Sequence, residues 1–166
     1  MYKLQLKEAI SKMNNNGVYG IPKSGYHEIY VTGGNGYGSA STLIRRYTNT
    51  VKLLGQAITY KDDAIVGGSF TINQTGIYAI TMSDDLTTTG AFGISVNTTQ
   101  PATGISSLTN TSERLSYSNI GAGSFAAGPS TILTILNTGD VVRGHGDQVS
   151  GVTAAVDVYL RITKIA

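Results

Sequence analysis

The sequence predicts an all-β chain, a double-sheet antiparallel jelly-roll sandwich that follows a short N-terminal arm. Short segments rich in β-branched and aromatic residues recur between clusters of Gly, Asn and Ser, which is the pattern of strands joined by turns. The 10 Tyr residues and the absence of Trp fit the same class. Beyond the arm we find no convincing helical segment and no repeat of about 20 to 50 residues, which argues against solenoids and propellers.

Composition limits the functions that the chain can have. Its 166 residues favour one domain with one core, and 40% hydrophobic with 13% charged residues is not the composition of a disordered chain. A net charge of +2 with scattered Lys and Arg argues against nucleic acid as a partner. The absence of Cys excludes disulfides and zinc–thiolate sites. No segment is long and apolar enough to cross a membrane, so we expect a soluble protein made in a cytoplasm.

Residues 1–24 form the predicted arm, and residues 25–166 form the predicted jelly-roll domain. Tyr2, Leu6, Ile10 and Met13 recur at helical spacing, which predicts a short amphipathic helix. It ends at NNNG (14–17), where Asn and Gly favour turns. Two arrangements remain open, because the arm can project from the domain or pack against it.

The domain is predicted to consist of short strands in close succession. The segments are YHEIYVT (26–32), TLIRRYTNTVKLL (42–54), AITYKDDAIV (57–66), SFTI (69–72), IYAITMS (77–83), AFGISVN (91–97), ERLSYSN (113–119), STILTIL (130–136) and AAVDVYLRITKI (154–165). Alternation along the last one places Val156, Val158, Leu160 and Ile162 on one apolar face. A long terminal strand of this kind is expected at the centre of a sheet.

Three features suggest small-molecule chemistry but are better explained by structure. The glycine-rich stretch GGNGYGSAS (33–41) lacks the following helix and the Lys of a phosphate-binding loop, so we predict a flexible inter-strand loop. The pairs Asp62–Asp63 and Asp84–Asp85 stand at strand ends, where Asp caps turns. Adjacent strand residues point to opposite faces, so neither pair converges as a metal site or an acid–base couple.

Arg143, His145 and Asp147 alternate with Gly and would share one face of a regular strand. Such a triplet suggests catalysis, but a hydrolase also needs a nucleophile and an oxyanion hole, and no G-x-S-x-G elbow is present. We therefore predict a polar strand face, either solvated or paired with its own copy across an oligomer axis. No catalytic residues, metal or cofactor are predicted, and the chain is not expected to be an enzyme.

The Tyr content leaves a further possibility open. Tyr side chains provide surfaces on which sugars stack and are favoured at protein interfaces. Carbohydrate binding is therefore possible, although β propensity alone also explains many Tyr residues in strands.

Longer motifs resemble the trimeric jelly-roll superfamily of tumour necrosis factor and of the globular heads of complement and collagen-like proteins. The matching stretches are GGSFTINQTGIYAITMSDD (67–85), STILTILNTGDVVRGHGDQ (130–148) and the closing VYLRITKI. Within them the resemblance depends on Phe70, on Gly76, Ile77 and Tyr78, and on Leu136 with Gly139 and Asp140. The resemblance implies a homotrimer in which one sheet of each jelly roll surrounds a threefold axis. The candidate interface residues are Tyr78, Ile80, Arg143, His145, Asp147 and Tyr159.

The segment that runs from GNGYGSASTLIRRYTNT (34–50) to AITYKDDA (57–64) also resembles small virion proteins of tailed bacteriophages, which carry such folds as capsid decoration proteins, head fibres or tail knobs. This second resemblance implies a decoration (cement) protein that binds the major capsid protein on the capsid surface and is made in the host bacterial cytoplasm. The arm, through Tyr2, Leu6, Ile10 and Met13, is the expected capsid contact. The alternative is a receptor- or glycan-binding knob of a head or tail fibre, which would use loops at 34–47 or 113–125.

Overall fold

The computed structural model describes residues 26–40, 42–84, 89–120, 129–148 and 158–166. The predicted arm and its four contact residues lie outside these ranges. No helix within them is long and apolar enough to cross a bilayer.

The described residues form ten strands and two short 3₁₀ turns. The strands are β1 (His27–Tyr37), β2 (Arg45–Leu54), β3 (Ile58–Lys61), β4 (Ser69–Ile72), β5 (Gly76–Ser83), β6 (Gly90–Val96), β7 (Arg114–Ile120), β8 (Ser130–Leu136), β9 (Val141–Gly146) and β10 (Tyr159–Lys164), and the 3₁₀ turns are Ile105–Ser107 and Thr111–Glu113. Sheet 1 has the order β2-β1-β10-β5-β8 and sheet 2 the order β3-β4-β9-β6-β7, with neighbours antiparallel. The predicted all-β jelly-roll sandwich is confirmed.

The core lies between the inner faces of the two sheets. Four aromatic residues, Tyr47, Phe70, Tyr78 and Phe92, are almost completely buried among Ile, Val, Leu and Met side chains. The ring of Phe70 contacts that of Tyr47 edge-on at 6.1 Å between centroids. Each large apolar side chain removed from water stabilises the fold by about 1.5–3 kcal/mol, so the sandwich depends mainly on these inward faces.

Alternation along β5 and β10 decides which residues form the core. On β10, Leu160 and Ile162 are fully buried while Arg161 is exposed, as the pattern predicts. β10 pairs with β1 on one side and β5 on the other, so the expected central position of the last strand is confirmed. Val156 lies outside the described residues.

The prediction of a flexible loop at 33–41 is wrong for residues 33–37. β1 runs through its first half to Tyr37 and pairs with β2 across register shifts. Gly33 and Gly36 have φ angles of 74° and 69°, a backbone conformation that side chains disfavour. The glycines therefore allow an irregular strand to keep its pairing, whereas a flexible loop would not pair.

Residues 137–140 form the turn between β8 and β9. Gly139 has φ 96°, and Asp140 Oδ2 accepts a hydrogen bond from the Asn137 amide at 2.7 Å. Asn97 joins this turn to the end of β6, since its side chain donates to Asp140 and accepts from the Val141 amide, both at 2.8 Å. Gly139 and Asp140, on which the family resemblance depends, thus shape and stabilise this turn.

Candidate functional site

Two of the predicted interface residues lie inside the core. Tyr78 and Ile80 have no exposed surface, because they are on the face of β5 that packs against sheet 2. The Tyr78 hydroxyl donates to the carbonyl of Gln74 at 2.5 Å. The prediction that these two side chains contact another subunit is wrong, since a single chain already buries them completely.

His145 is also buried, which corrects the predicted polar strand face. It lies on the outer face of β9, but residues 97–113, which connect β6 to β7, cover it completely; we call this segment the covering loop. The imidazole Nε2 is 2.8 Å from the Thr103 carbonyl, which can only accept, so Nε2 donates. Nδ1 then accepts from the Ser95 hydroxyl at 3.2 Å. Burial lowers the pKa of His145, which favours this neutral form.

Asp147 fixes the same loop to the end of β9. Its carboxylate accepts from the amide and the hydroxyl of Ser106 at 2.9 and 2.8 Å, and from the Ala91 amide at 3.0 Å. Ala91 in turn packs with Ile105 and Leu108 of the loop in a small apolar cluster. The third member of the triplet, Arg143, is half-buried and donates to the Gly68 carbonyl at 3.3 Å. The triplet therefore stabilises the fold within one chain.

A second carboxylate, Glu113, holds the loop at its C-terminal end. It accepts from the amide and hydroxyl of Thr99 at 3.1 and 3.0 Å and from the side chain of Asn110 at 3.2 Å. Burial raises the pKa of Glu113, but these hydrogen bonds outweigh burial and leave the pKa below its usual value. Glu113 thus joins the two ends of the covering loop, and Asp147 fixes the middle of the loop beside β9. The chain itself therefore covers the outer face of sheet 2 over β6 and β9.

The outer face of sheet 1 has no such cover among the described residues. Four exposed aliphatic side chains lie at the β5–β8 end, where Ile77, Leu133, Ile135 and Ile165 are 38%, 64%, 69% and 57% exposed. In the strand register Ile77 lies opposite Ile135, and the amide of Ile165 donates to the Ile77 carbonyl at 2.7 Å, so the residues are neighbours. We call these four residues the apolar patch.

A charged cluster occupies the opposite part of the same face. Glu28 is completely buried there and forms ion pairs with Lys52 of β2 and Arg161 of β10, while Tyr26 donates to it at 2.7 Å. Burial raises the pKa of Glu28, but hydrogen bonds from these three partners outweigh that effect and lower it overall. The predicted interface residue Tyr159 is next to this cluster, half-buried, with its ring edge-on to Tyr30 at 5.9 Å.

Sequence reasoning missed one buried ion pair. Asp84 was expected to cap a turn, but it lies buried at the end of β5 and binds Arg45 at 2.9 Å, with neither side chain exposed. The Arg45 guanidinium also lies 5.0 Å from the ring centre of Tyr37. By contrast, Asp63 does cap a turn, accepting from the amides of Ile65 and Val66. No sequence signal separates these two Asp residues, because both follow strands.

The described ranges contain no candidate metal site. Among those residues, no three side chains of His, Asp or Glu come close enough together to hold a metal ion. The candidate functional site is a surface, the outer face of sheet 1 with its apolar patch.

The fold is shared with solved structures of a ligand of the tumour necrosis factor family. The crystal structure of murine APRIL at pH 5.0 matches with a TM-score of 0.57 and 14% identity, over 84% of this chain and 99% of that chain. Murine APRIL at pH 8.0 matches with a TM-score of 0.51 and 13% identity, over the same shares of the two chains. No family model and no curated protein matches the sequence.

These comparisons define the class of fold. At such low identities the likeness concerns architecture alone. The chain has a TNF-like jelly-roll fold, and the resemblance noted from Phe70, Gly76–Tyr78 and Gly139–Asp140 is confirmed at that level.

Proposed function

We propose that the chain is a structural virion protein that assembles as a homotrimer through the outer face of sheet 1. The observation that supports this most strongly is the apolar patch. Monomeric proteins rarely leave contiguous large aliphatic side chains in water, and such patches mark interaction surfaces. A second copy of the chain is the simplest partner, as the family resemblance implies.

The energetics of the patch favour assembly. Removing one large aliphatic side chain from water stabilises a complex by about 1.5–3 kcal/mol. Leu133 and Ile135 are the most exposed of the four, and they lie on β8, the free edge of sheet 1. Each copy would contribute the same pair, so a closed ring would multiply the gain.

The charged cluster is compatible with the same arrangement. A buried carboxylate left without a partner would oppose assembly, because desolvating a charge costs several kcal/mol. Glu28 already has Lys52 and Arg161 as partners within one chain. A neighbouring subunit could therefore cover this part of the face without leaving Glu28 unpaired.

We further propose that the trimer decorates a bacteriophage capsid. The support is the resemblance of the segments at 34–50 and 57–64 to small virion proteins. In this proposal the arm binds the major capsid protein through Tyr2, Leu6, Ile10 and Met13. Three arms on one trimer would strengthen a weak capsid contact through effective concentration.

Two measurements test the proposal in sequence. Sedimentation equilibrium of the full chain should give three times the mass of one chain, and a clean monomer would refute the trimer. Co-sedimentation with capsids of the source phage should then retain the full trimer and lose a variant without residues 1–13. Binding to host cells but not to capsids would favour the alternative, a receptor-binding knob on a fibre.

A further inference from the structure

A cavity lies between the free edges of the two sheets, where β2 ends sheet 1 and β3 ends sheet 2. Its volume is about 580 Å³. Binding sites for small molecules usually measure about 300–1,000 Å³, so the space suits a ligand of a few rings. The short connection at 55–57 joins β2 to β3 along its border.

The base of the cavity is apolar. Ile29 and Ile58 are buried beneath it, and Leu53 lies beside them with 58% of its surface exposed. Tyr60 lines the same space, half-buried, with its ring stacked on Phe70 at 4.7 Å between centroids. This base can contact the C–H faces of a ligand without hydrogen bonds.

The rim is polar and uncharged. It consists of Thr50, Gln56, Thr59 and Asn73, so the lining contains no acidic or basic side chain. Burial raises the pKa of Tyr60 to about 12, so its phenol is neutral as well. An ionised ligand would lose hydration on entering this cavity and gain no counter-charge, which makes a neutral ligand the better fit.

The rim is held in place before any ligand arrives. The Asn73 side-chain amide donates to the Gln56 carbonyl and to the Thr59 hydroxyl, both at 2.8 Å. The Gln56 backbone amide donates to His27 Nδ1 at 3.1 Å. These bonds leave the side-chain Oδ1 of Asn73 and the whole Gln56 side-chain amide without a hydrogen-bond partner among the described residues. The rim backbone at Gln56 and the Asn73 side chain are thus held in place, which lowers the entropic cost of binding.

We propose that this cavity binds a neutral saccharide. Sugar hydroxyls both donate and accept, which matches the amide and hydroxyl groups of the rim, while the C–H faces of a sugar ring match the apolar base. The site does not depend on the homotrimer, because the apolar patch lies at the opposite edge of sheet 1. A failure of one proposal therefore leaves the other standing.

Isothermal titration calorimetry of the full chain tests the site. The neutral probes are cellobiose, maltose, lactose and diacetylchitobiose, and sialyllactose is the charged probe. We expect at least one neutral probe to bind. Gln56→Ala should then weaken its affinity about tenfold by removing hydrogen bonds. Thr50→Trp should abolish binding, because its indole would fill the cavity.

Gln74→Ala is the matched control. Gln74 is an exposed amide one residue from Asn73 but does not line the cavity, so its loss should leave affinity unchanged. Melting temperatures of the three variants show that each remains folded. Three results would overturn the proposal: no neutral probe bound at tens of millimolar, sialyllactose alone bound, or binding that survives both Gln56→Ala and Thr50→Trp.

Discussion

The outer faces of the two sheets differ in whether another segment of the chain covers them. Over sheet 2 the covering loop lies on β6 and β9, and it buries His145 and Ala91 on what would otherwise be a solvated face. Over sheet 1 no described segment does this, and Leu133 and Ile135 remain more than half exposed. The chain itself covers the outer face of sheet 2, whereas the outer face of sheet 1 leaves apolar side chains exposed that a partner could cover.

This difference shows that polarity along a strand does not identify an interface. The polar triplet at 143, 145 and 147 belongs to the covered face of sheet 2, where each side chain has a hydrogen-bond partner in the same chain. The exposed aliphatic residues of β8 belong to the uncovered face of sheet 1. The same kind of substitution should therefore have different effects on the two faces: it should disrupt assembly on sheet 1 and leave assembly intact on sheet 2.

The largest expected effect is on assembly. Leu133→Asp should convert the trimer to a monomer, because a charge in an apolar contact must be desolvated without a partner. Tyr117→Asp is the control: Tyr117 is also a large exposed side chain, at 41%, but it lies on β7 of sheet 2. Sedimentation velocity measures both variants. Equal loss of the trimer in the two would remove the distinction between the faces.

The next effect is on folding stability. His145→Ala should lower the free energy of unfolding by about 2–3 kcal/mol, since it leaves the Thr103 carbonyl without its donor and opens a small cavity. His145→Gln should recover part of the loss, because its amide can still donate. Urea denaturation monitored by circular dichroism gives these values. A change within about 0.5 kcal/mol, as for an ordinary surface substitution, would mean that the covering loop is not held by this residue.

A smaller effect is expected on the pH dependence of stability. Burial holds the pKa of His145 below the usual histidine value of about 6.5, so the unfolded chain binds a proton at this site more readily than the folded chain. Stability should therefore fall as pH decreases below about 6.5 and level off once pH passes the folded pKa. Thermal melts from pH 8 to pH 5 should lose this slope in His145→Gln and keep it in His27→Gln. A slope unchanged in both would assign it to another group.

The smallest effect concerns the anchoring of the covering loop. Ser106→Ala removes the hydroxyl bond to Asp147 but keeps the backbone amide bond, so the cost should be about 0.5–1 kcal/mol. Hydrogen exchange should become faster in the covering loop and stay unchanged on β10. Uniform acceleration over the whole chain would point instead to global destabilisation.

The strand pattern could be predicted because alternation is a local property. β5 and β10 each carry an apolar face, and their period of two places both faces on the same side of sheet 1, towards the core. Which face meets a partner could not be predicted in the same way. Tyr78 and Ile80 look like interface residues, but a sandwich uses its largest side chains to fill the space between sheets, which leaves Ile77 and Ala79 outside.

Non-local contacts explain the remaining errors. The burial of His145 depends on the covering loop, whose contact residue Thr103 lies 42 positions earlier in the sequence. Arg45 and Asp84 likewise meet only when β2 and β5 are in place. The cavity depends on the relative position of two sheet edges, so no motif could indicate it.

The central place of β10 in sheet 1 has a consequence for how the chain folds during synthesis. β10 is the last of the ten strands to leave the ribosome, and it separates the β2–β1 pair from the β5–β8 pair. Until it is made, sheet 1 exists only as two halves with open inner edges, which are sites for mispairing and aggregation. Completion of sheet 1 is therefore expected to wait until β10 has been made, with β10 acting as the closing strand.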